Sequence, residues 1–485
     1  MKPRTRTSIL AGLAGLLLFS SGCMVGPKYQ RPSVPAPVAY GEAPPAGWKE
    51  AEPTDGVLRD KWWEVYQDQQ LNALEDEVNI SNQNILASEA QFRAAQASVR
   101  IARSDLYPTV TVGGSISADR TPTTTLRSVS GTGVSAGTGV HAIYSIPLQA
   151  TYTPDVFGGI RHGVAAERAT AQATAAQLEN VRLLFHAELA SDYFQLRGTN
   201  GQVQLFSDQV KSYEEYLQLT RKRYDSGIAS MGDIEQARTQ LETTRAQLKD
   251  LGVQRSQLEH AIAVLTGRPP EGFSIPPAPL HNVPPPTPVG VPSALLERRP
   301  DIAAQERQVA AANEEIGVAR AALFPAITLT AGGGSESANL LNLLSGPSYL
   351  WTLGGQLTQT IFDKGRRQGR IALSQATYDT TVANYRQAVL TAFQQVEDNL
   401  AALRILAEEA DIQATAVAAA QESLRISTAQ YEGGITSYLQ VLTTQTIAQQ
   451  DQRAAVDIQT RRMLASVALI EALGGGWNVS KLPPV

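Results

Sequence analysis

One helix-to-strand transition, written twice, constrains this chain more than any other feature. Ile101-Ala102-Arg103 followed by Leu106-Tyr107-Pro108-Thr109-Val110-Thr111-Val112 returns as Val318-Ala319-Arg320 followed by Leu323-Phe324-Pro325-Ala326-Ile327-Thr328-Leu329. Proline has no N–H for the helical ladder and pushes the residue before it out of the α region, so a helix ends at both places. Beyond each break the side chains alternate. Val110, Val112, Ile116 and Ala118 fall on one face, and Thr109, Thr111, Ser115 and Ser117 on the other. A second run in each copy does the same. Ile146, Leu148, Ala150 and Tyr152 interleave with Ser145, Gln149, Thr151 and Thr153, and Trp351, Leu353 and Leu357 with Thr352, Gln356, Thr358 and Thr360. Four strands are expected, over residues 107–119, 143–154, 325–335 and 349–361. One apolar row and one Ser/Thr/Gln row suit a half-buried soluble sheet or a transmembrane barrel with lipid outside and water inside.

Helical periodicity fills most of the rest. Leu71, Leu74, Val78, Ile85 and Phe92 recur at helical spacing up to Tyr107-Pro108. From His162 to Tyr224 runs a helix that would reach roughly 90 Å at ~1.5 Å per residue. Leu178, Val181, Phe185, Leu189, Tyr193 and Leu196 form its stripe, and Val389, Phe393, Val396, Leu400 and Leu403 repeat that rhythm in the second copy. Ile234, Ala237, Leu241, Thr244, Leu248, Leu251, Arg255, Leu258, Ile262 and Leu265 follow a seven-residue repeat, which implies helices wound about one another. Between the paired helices a turn is duplicated: Arg223-Tyr224-Asp225-Ser226-Gly227-Ile228-Ala229-Ser230 answers to Gln430-Tyr431-Glu432-Gly433-Gly434-Ile435-Thr436-Ser437. Gly227 and Gly434 suit the left-handed position that ends a helix, and Ser230 and Ser437 the cap that starts the next.

The N-terminus reads as an export signal. Lys2, Arg4 and Arg6 precede an apolar run from Ile9 to Phe19, too short to span a bilayer stably, and then Ser20-Ser21-Gly22. Cys23 follows as the one cysteine of the chain, so no intrachain disulfide can use it, and a lipobox with an acylated Cys23 is the expectation. The chain thus divides into residues 1–22, a signal peptide; 23–60, a lipidated extended segment rich in Pro, Gly and Ala; 61–290 and 291–476, two structural repeats separated by the Pro-rich linker; and 477–485, a tail. The Thr/Ser/Gly stretch from Thr121 to Gly139 reads as a loop between the first two strands.

Chemistry is hard to find. The five histidines are scattered, with no HExxH, paired-cysteine or GxSxG pattern, and the net charge of −5 with both signs interspersed offers no footprint for nucleic acid. No catalytic residue, metal site or cofactor is assigned.

The order of its motifs carries a resemblance. Cys23-Met24-Val25-Gly26-Pro27-Lys28-Tyr29-Gln30-Arg31-Pro32, the Leu-Tyr/Phe-Pro breaks, the Tyr-x-x-Gly-Ile-x-Ser turns, Glu297-Arg298-Arg299-Pro300-Asp301-Ile302 and the ending Ala472-Leu473-Gly474-Gly475-Gly476-Trp477 together resemble the outer-membrane factor (TolC-like) family of tripartite efflux pumps, in its NodT/OprM-like lipoprotein branch. The resemblance implies a mostly α fold with membrane β: a homotrimer sharing a twelve-stranded barrel, continued by a long periplasmic α-helical barrel. It implies a gated exit duct in the bacterial outer membrane that performs no chemistry and docks a periplasmic adaptor and an inner-membrane pump of the resistance-nodulation-division class. An exit duct for secreted polypeptides has the same architecture. On this resemblance Tyr224, Gly227, Ile228, Ser230, Tyr431, Gly434, Ile435 and Ser437 form the adaptor-facing tip, and Asp233 and Leu439 the narrowest rings. Gln440 and Thr443 are neutral where related channels often carry aspartates, and Asp233 is the first-copy equivalent of Gln440.

Overall fold

A computed structural model describes residues 24–34, 37, 39–42, 61–120, 140–286, 292 and 295–484. Two copies of one unit succeed each other. In the first, a short 3₁₀ turn Trp62–Tyr66 leads into α1 (Gln69–Ser81) and α2 (Gln83–Ser104), then β1 (Thr109–Val112), β2 (Ser115–Asp119), β3 (His141–Tyr152), α3 (Gly159–Asp225) and α4 (Met231–Leu265). In the second, α5 (Pro300–Ala321), β4 (Ala326–Ser337), β5 (Tyr349–Thr358), α6 (Arg366–Glu432) and α7 (Tyr438–Ala472) follow in the same order. The correspondence is metrical: α2 and α5 each have 22 residues, α3 and α6 each 67, and α4 and α7 each 35. At ~1.5 Å per residue the long helices reach roughly 100 Å.

The first expected strand is two. β1 and β2 both pair with β3, interrupted where Gly113 donates to the carbonyl of Pro147, which has no N–H to return the bond. All pairs are antiparallel, in the order β1/β2, β3, β4, β5, and the β3–β4 pair joins the second strand of one copy to the first strand of the next. The other expected strand limits shift by no more than three residues. The continuous helix expected up to Tyr107 breaks at Asn82, whose side chain accepts from the N–H groups of Asn84 and Ile85 and donates to the carbonyl of Leu265 at 3.0 Å. Arg299 does the corresponding work in the second copy, donating to the carbonyl of Ala472 at 3.0 Å. The short helices therefore abut end to end, α4 against α2 and α7 against α5, alongside the long ones.

The core lies where the helices are most crowded. Trp62, Trp63, Tyr66, Leu71, Leu189, Tyr193, Phe194 and Ile470 form one cluster, and Tyr385, Val389, Val396, Leu400 and Leu469 another. Ile234, Ala237, Leu241, Thr244 and Leu251 of the seven-residue repeat are buried on α4. Its two polar members are bonded: the Thr244 hydroxyl donates to the Gln240 carbonyl, and one terminal nitrogen of Arg255 donates to Glu259 and the Ile275 carbonyl. In the segment after residue 23, the described residues form no helix or strand and run along this framework. Val25 donates to the carbonyl of Phe157, Asn313 to that of Pro27, Tyr29 to Glu306, and the N–H groups of Gly41 and Glu42 to Glu397.

Candidate functional site

The sheet sorts its side chains as the alternation requires. Register places Val112, Leu148, Gly333 and Trp351 in one row and Val110, Ala150, Ala331 and Leu353 in the next, all on one face. The opposite face carries Thr111, Gln149, Gly332 and Thr352 in one row, and Thr109, Thr151, Thr330 and Gly354 in another. The apolar row is uncovered: Trp351 and Leu353 are each 78% exposed. In water such a face is unfavourable by roughly 25 cal/mol per Å², whereas lipid accepts it. Each edge of the sheet, β1/β2 and β5, lacks a partner among the described residues.

Where strands become helices, two carboxylates act as clamps that the sequence reading missed. Asp155 accepts from the N–H groups of Ile160 and Arg161 and from the Arg161 guanidinium. Asp363 accepts from Gly365, Arg367 and the Arg367 guanidinium. A carboxylate beside the first N–H groups of a helix fills their missing bonds and opposes the positive end of its dipole. The duplicated Asp…Gly…Arg order was the available signal. Cys23 and the signal segment lie outside the described residues, as does the loop from Thr121 to Gly139. Met24 packs against Gly158 at this junction.

At the far end the two turns have one geometry. Gly227 and Gly434 both take φ +74, each N–H bonding back to Tyr224 and Tyr431, while Ile228 and Ile435 bond back to Arg223 and Gln430. This is the double bond of a Schellman ending, and a side chain at that φ would strain it. Ser230 caps α4 in a reciprocal box with Asp233, whose carboxylate accepts from the Ser230 N–H at 2.8 Å. Ser437 makes no side-chain cap, and Gln440 stands where Asp233 does in the first copy. Tyr224, Ile228, Ile435 and Leu439 are exposed. Tyr431, grouped with the tip, is instead only 5% exposed and packs with Tyr213, Leu217, Ile234 and Tyr438. Arg223 covers its ring, so Tyr431 is out of reach of a docking partner, whereas Tyr224, its counterpart, is 44% exposed.

Two further polar features escaped the sequence reading. His186, stacked on Trp63, holds Glu75 at 2.6 Å through Nδ1 and Asn79 at 3.0 Å through Nε2. Burial pushes the Glu75 carboxyl well above the carboxylate range and drives His186 down to about 4, with Arg182 adding to the fall. A neutral pair with one proton, donated from Glu75 to Nδ1, fits both bonds better than an ion pair. Asp192, on the same helix, is raised to about 6 by burial and by neighbouring Glu188. Among the described residues no group of His, Cys, Asp and Glu could hold a metal ion.

The molecule is thus an open amphipathic sheet with long paired helices leaving one side of it. A family model described as outer membrane efflux protein matches residues 74–268 and 291–475, one match in each copy. The toluene efflux pump outer membrane protein TtgC of Pseudomonas putida is 31% identical over 478 residues, covering 97% of this chain and 96% of the relative. The cation efflux system protein CusC of Escherichia coli is 28% identical over 464 residues, covering 95% and 97%. Among solved structures, the outer-membrane channel OprN superposes with a TM-score of 0.84 at 26% identity, covering 94% of this chain and 100% of that one. Matched in both copies and along nearly its whole length, the chain belongs to the outer membrane efflux protein family.

Proposed function

We propose that three copies of this chain close one barrel in the outer membrane and one helical tunnel beneath it, forming the passive exit duct of a tripartite efflux system. The observation that carries this reading is the sheet: it is four strands wide, apolar on one face, hydroxyl- and glycine-rich on the other, and unpaired at both edges. Unpaired edges are prohibitively unfavourable in hydrocarbon and the smallest membrane barrels need eight strands, so the missing partners come from other copies. Three copies give twelve strands with the polar rows lining a watery lumen. The energy for transport comes from an inner-membrane pump of the resistance-nodulation-division class, reached through a periplasmic adaptor that meets the exposed Tyr224, Ile228 and Ile435 with the turns at Gly227, Ser230, Gly434 and Ser437. Leu439 and Asp233 narrow the closed end. No residue is assigned a catalytic role.

An acylated Cys23 anchors the start of the chain. Its support is the order of a positive run, an apolar run from Ile9 to Phe19 and then the one cysteine, with Met24 seated at the junction of strands and helices. Drugs or other small molecules are the cargo, as the relatives' names say of those proteins: TtgC is named for toluene and CusC for cations. The test is a deletion strain compared for susceptibility to a panel of organic toxicants and metal salts, with purified protein reconstituted in planar bilayers. Sensitisation together with stepwise conductance is the expected result; wild-type susceptibility and no conductance would defeat the reading.

A further inference from the structure

We infer that the turn joining β4 to β5, residues 338–348, is a membrane-seated wedge. Leu340, Leu341 and Leu344 reach into the acyl chains of the outer leaflet, while the backbone of the turn rests at their boundary with the headgroups. This rests on the barrel proposed above and gives a partner to a segment that reading leaves out. The turn stands at the end of the sheet away from the helices and is built of two 3₁₀ pieces, Leu340–Asn342 and Gly346–Ser348. Leu341 is 91% exposed, with Leu340 and Leu344 exposed beside it, whereas Leu343 is buried. One bond sets the side on which they stand. Tyr349 opens β5 two residues before Trp351, so its ring falls on the apolar face, and its hydroxyl donates to the Leu344 carbonyl at 3.3 Å. The leucine end of the turn is thereby tied to the lipid side of the sheet and not to the lumen.

Charge, hydrogen bonding and length each fit lipid there. From Ser337 to Phe362 the chain carries no charged side chain, so the turn offers no cation to a headgroup phosphate and brings no ion toward hydrocarbon. Its partner is therefore the acyl chains. Much of its backbone is bonded within the turn. The N–H of Asn339 donates to the Ser337 hydroxyl, that of Leu341 to the Asn339 side chain, and that of Leu343 to the Leu340 carbonyl, while the hydroxyls of Ser345 and Ser348 donate to the Asn342 carbonyl. Each polar group paired in this way is spared the cost of leaving water unpaired. Length is the third argument. The apolar row of β5 from Trp351 to Leu357 extends roughly 20 Å at ~3.3 Å per residue, and a tilt near 40° leaves about 15 Å along the bilayer normal, against the apolar band of about 25 Å that membrane barrels present. The remainder has to come from beyond the strand. Ile361 and Phe362, 94% and 83% exposed, stand just past its inner end, and the leucines of the turn stand just past its outer end.

The test uses the full-length protein reconstituted in phosphatidylcholine vesicles, with Cys23→Ala so that an introduced cysteine is the one thiol available. Leu341→Cys and Leu344→Cys each carry a bimane label, with Leu353→Cys on the apolar row and Thr352→Cys on the polar row as references. Labels at 341 and 344 should follow the one at 353, quenched at least about threefold more by phosphatidylcholine bearing a nitroxide on its acyl chain than by iodide in the water. The label at 352 should show the reverse preference. Labels at 341 and 344 that iodide quenches as it does at 352, or that neither quencher reaches because a neighbouring copy covers them, would overturn the wedge and leave the barrel reading standing. A label at 353 beyond the reach of the lipid nitroxide would overturn the barrel reading and the wedge with it.

Discussion

The guanidinium of Arg223 lies 4.4 Å from the ring centre of Tyr431 and donates to that residue's own carbonyl at 2.6 Å, with a second bond to Glu432 at 3.0 Å. It therefore ties the end of α3 to the end of α6, one copy's turn to the other's. Charge-assisted bonds of this kind are each worth about 2 kcal/mol, and the ring contact about 1 kcal/mol at an exposed site. Arg223→Ala should loosen the closed end, raising single-channel conductance in planar bilayers by about twofold or more. Tyr224→Ala, whose ring is exposed, should leave conductance within experimental scatter of wild type.

Leu439 stands exposed one residue into α7. If three such side chains form the narrowest apolar ring, Leu439→Ala should raise conductance further in an Arg223→Ala background than alone. An unchanged conductance in both backgrounds would remove Leu439 from the constriction. Asp233→Asn should cost about 1 kcal/mol through the lost capping box and lower cation preference, read from reversal potentials in a salt gradient.

The Glu75–His186 pair sets a pH signature. The folded pair holds one proton between the His186 value of about 4 and the raised value of Glu75. An unfolded chain holds two below the ordinary Glu value of 4.5, one between 4.5 and 6.5, and none above the ordinary His value of 6.5. This pair's contribution to stability is then level from 4.5 to 6.5, falls below 4.5 because the unfolded state binds more protons, and falls above 6.5 because the folded state does. His186→Phe with Glu75→Leu, which copies the Phe393 found at the matching place in α6, should flatten that profile in thermal melts across pH 4 to 8 and leave the midpoint at pH 6 within about 1 kcal/mol.

The two faces of β5 should respond oppositely to charge. Leu353→Arg puts a cation on the apolar row and should cost about 2–4 kcal/mol near the bilayer midplane, seen as loss of heat-modifiable trimer from the outer-membrane fraction. Thr352→Arg, on the polar row, should assemble normally and shift ion selectivity toward anions.

Cys23→Ala should abolish incorporation of labelled palmitate while leaving the protein in the outer-membrane fraction, since the barrel itself holds it there. Retention of label would show that acylation occurs elsewhere.

Much of this was legible in the chain. A strict period of two names both faces of a strand without any knowledge of its neighbours, and Pro108 and Pro325 dictate helix ends wherever they stand. The duplication extended those local facts to the whole architecture, down to equal helix lengths. What escaped depends on residues far apart in sequence. Pro147 splits the first strand because it lies opposite Gly113, Arg223 buries Tyr431 from 208 positions away, and Glu75 keeps its proton because it is buried beneath α3, whose His186 bonds it and stacks on Trp63. Periodicity is a property of consecutive residues, so sequence by itself determined the elements and their faces. Burial, proton affinity and the pairing of one turn with another are properties of enclosure, and only the tertiary structure decided them.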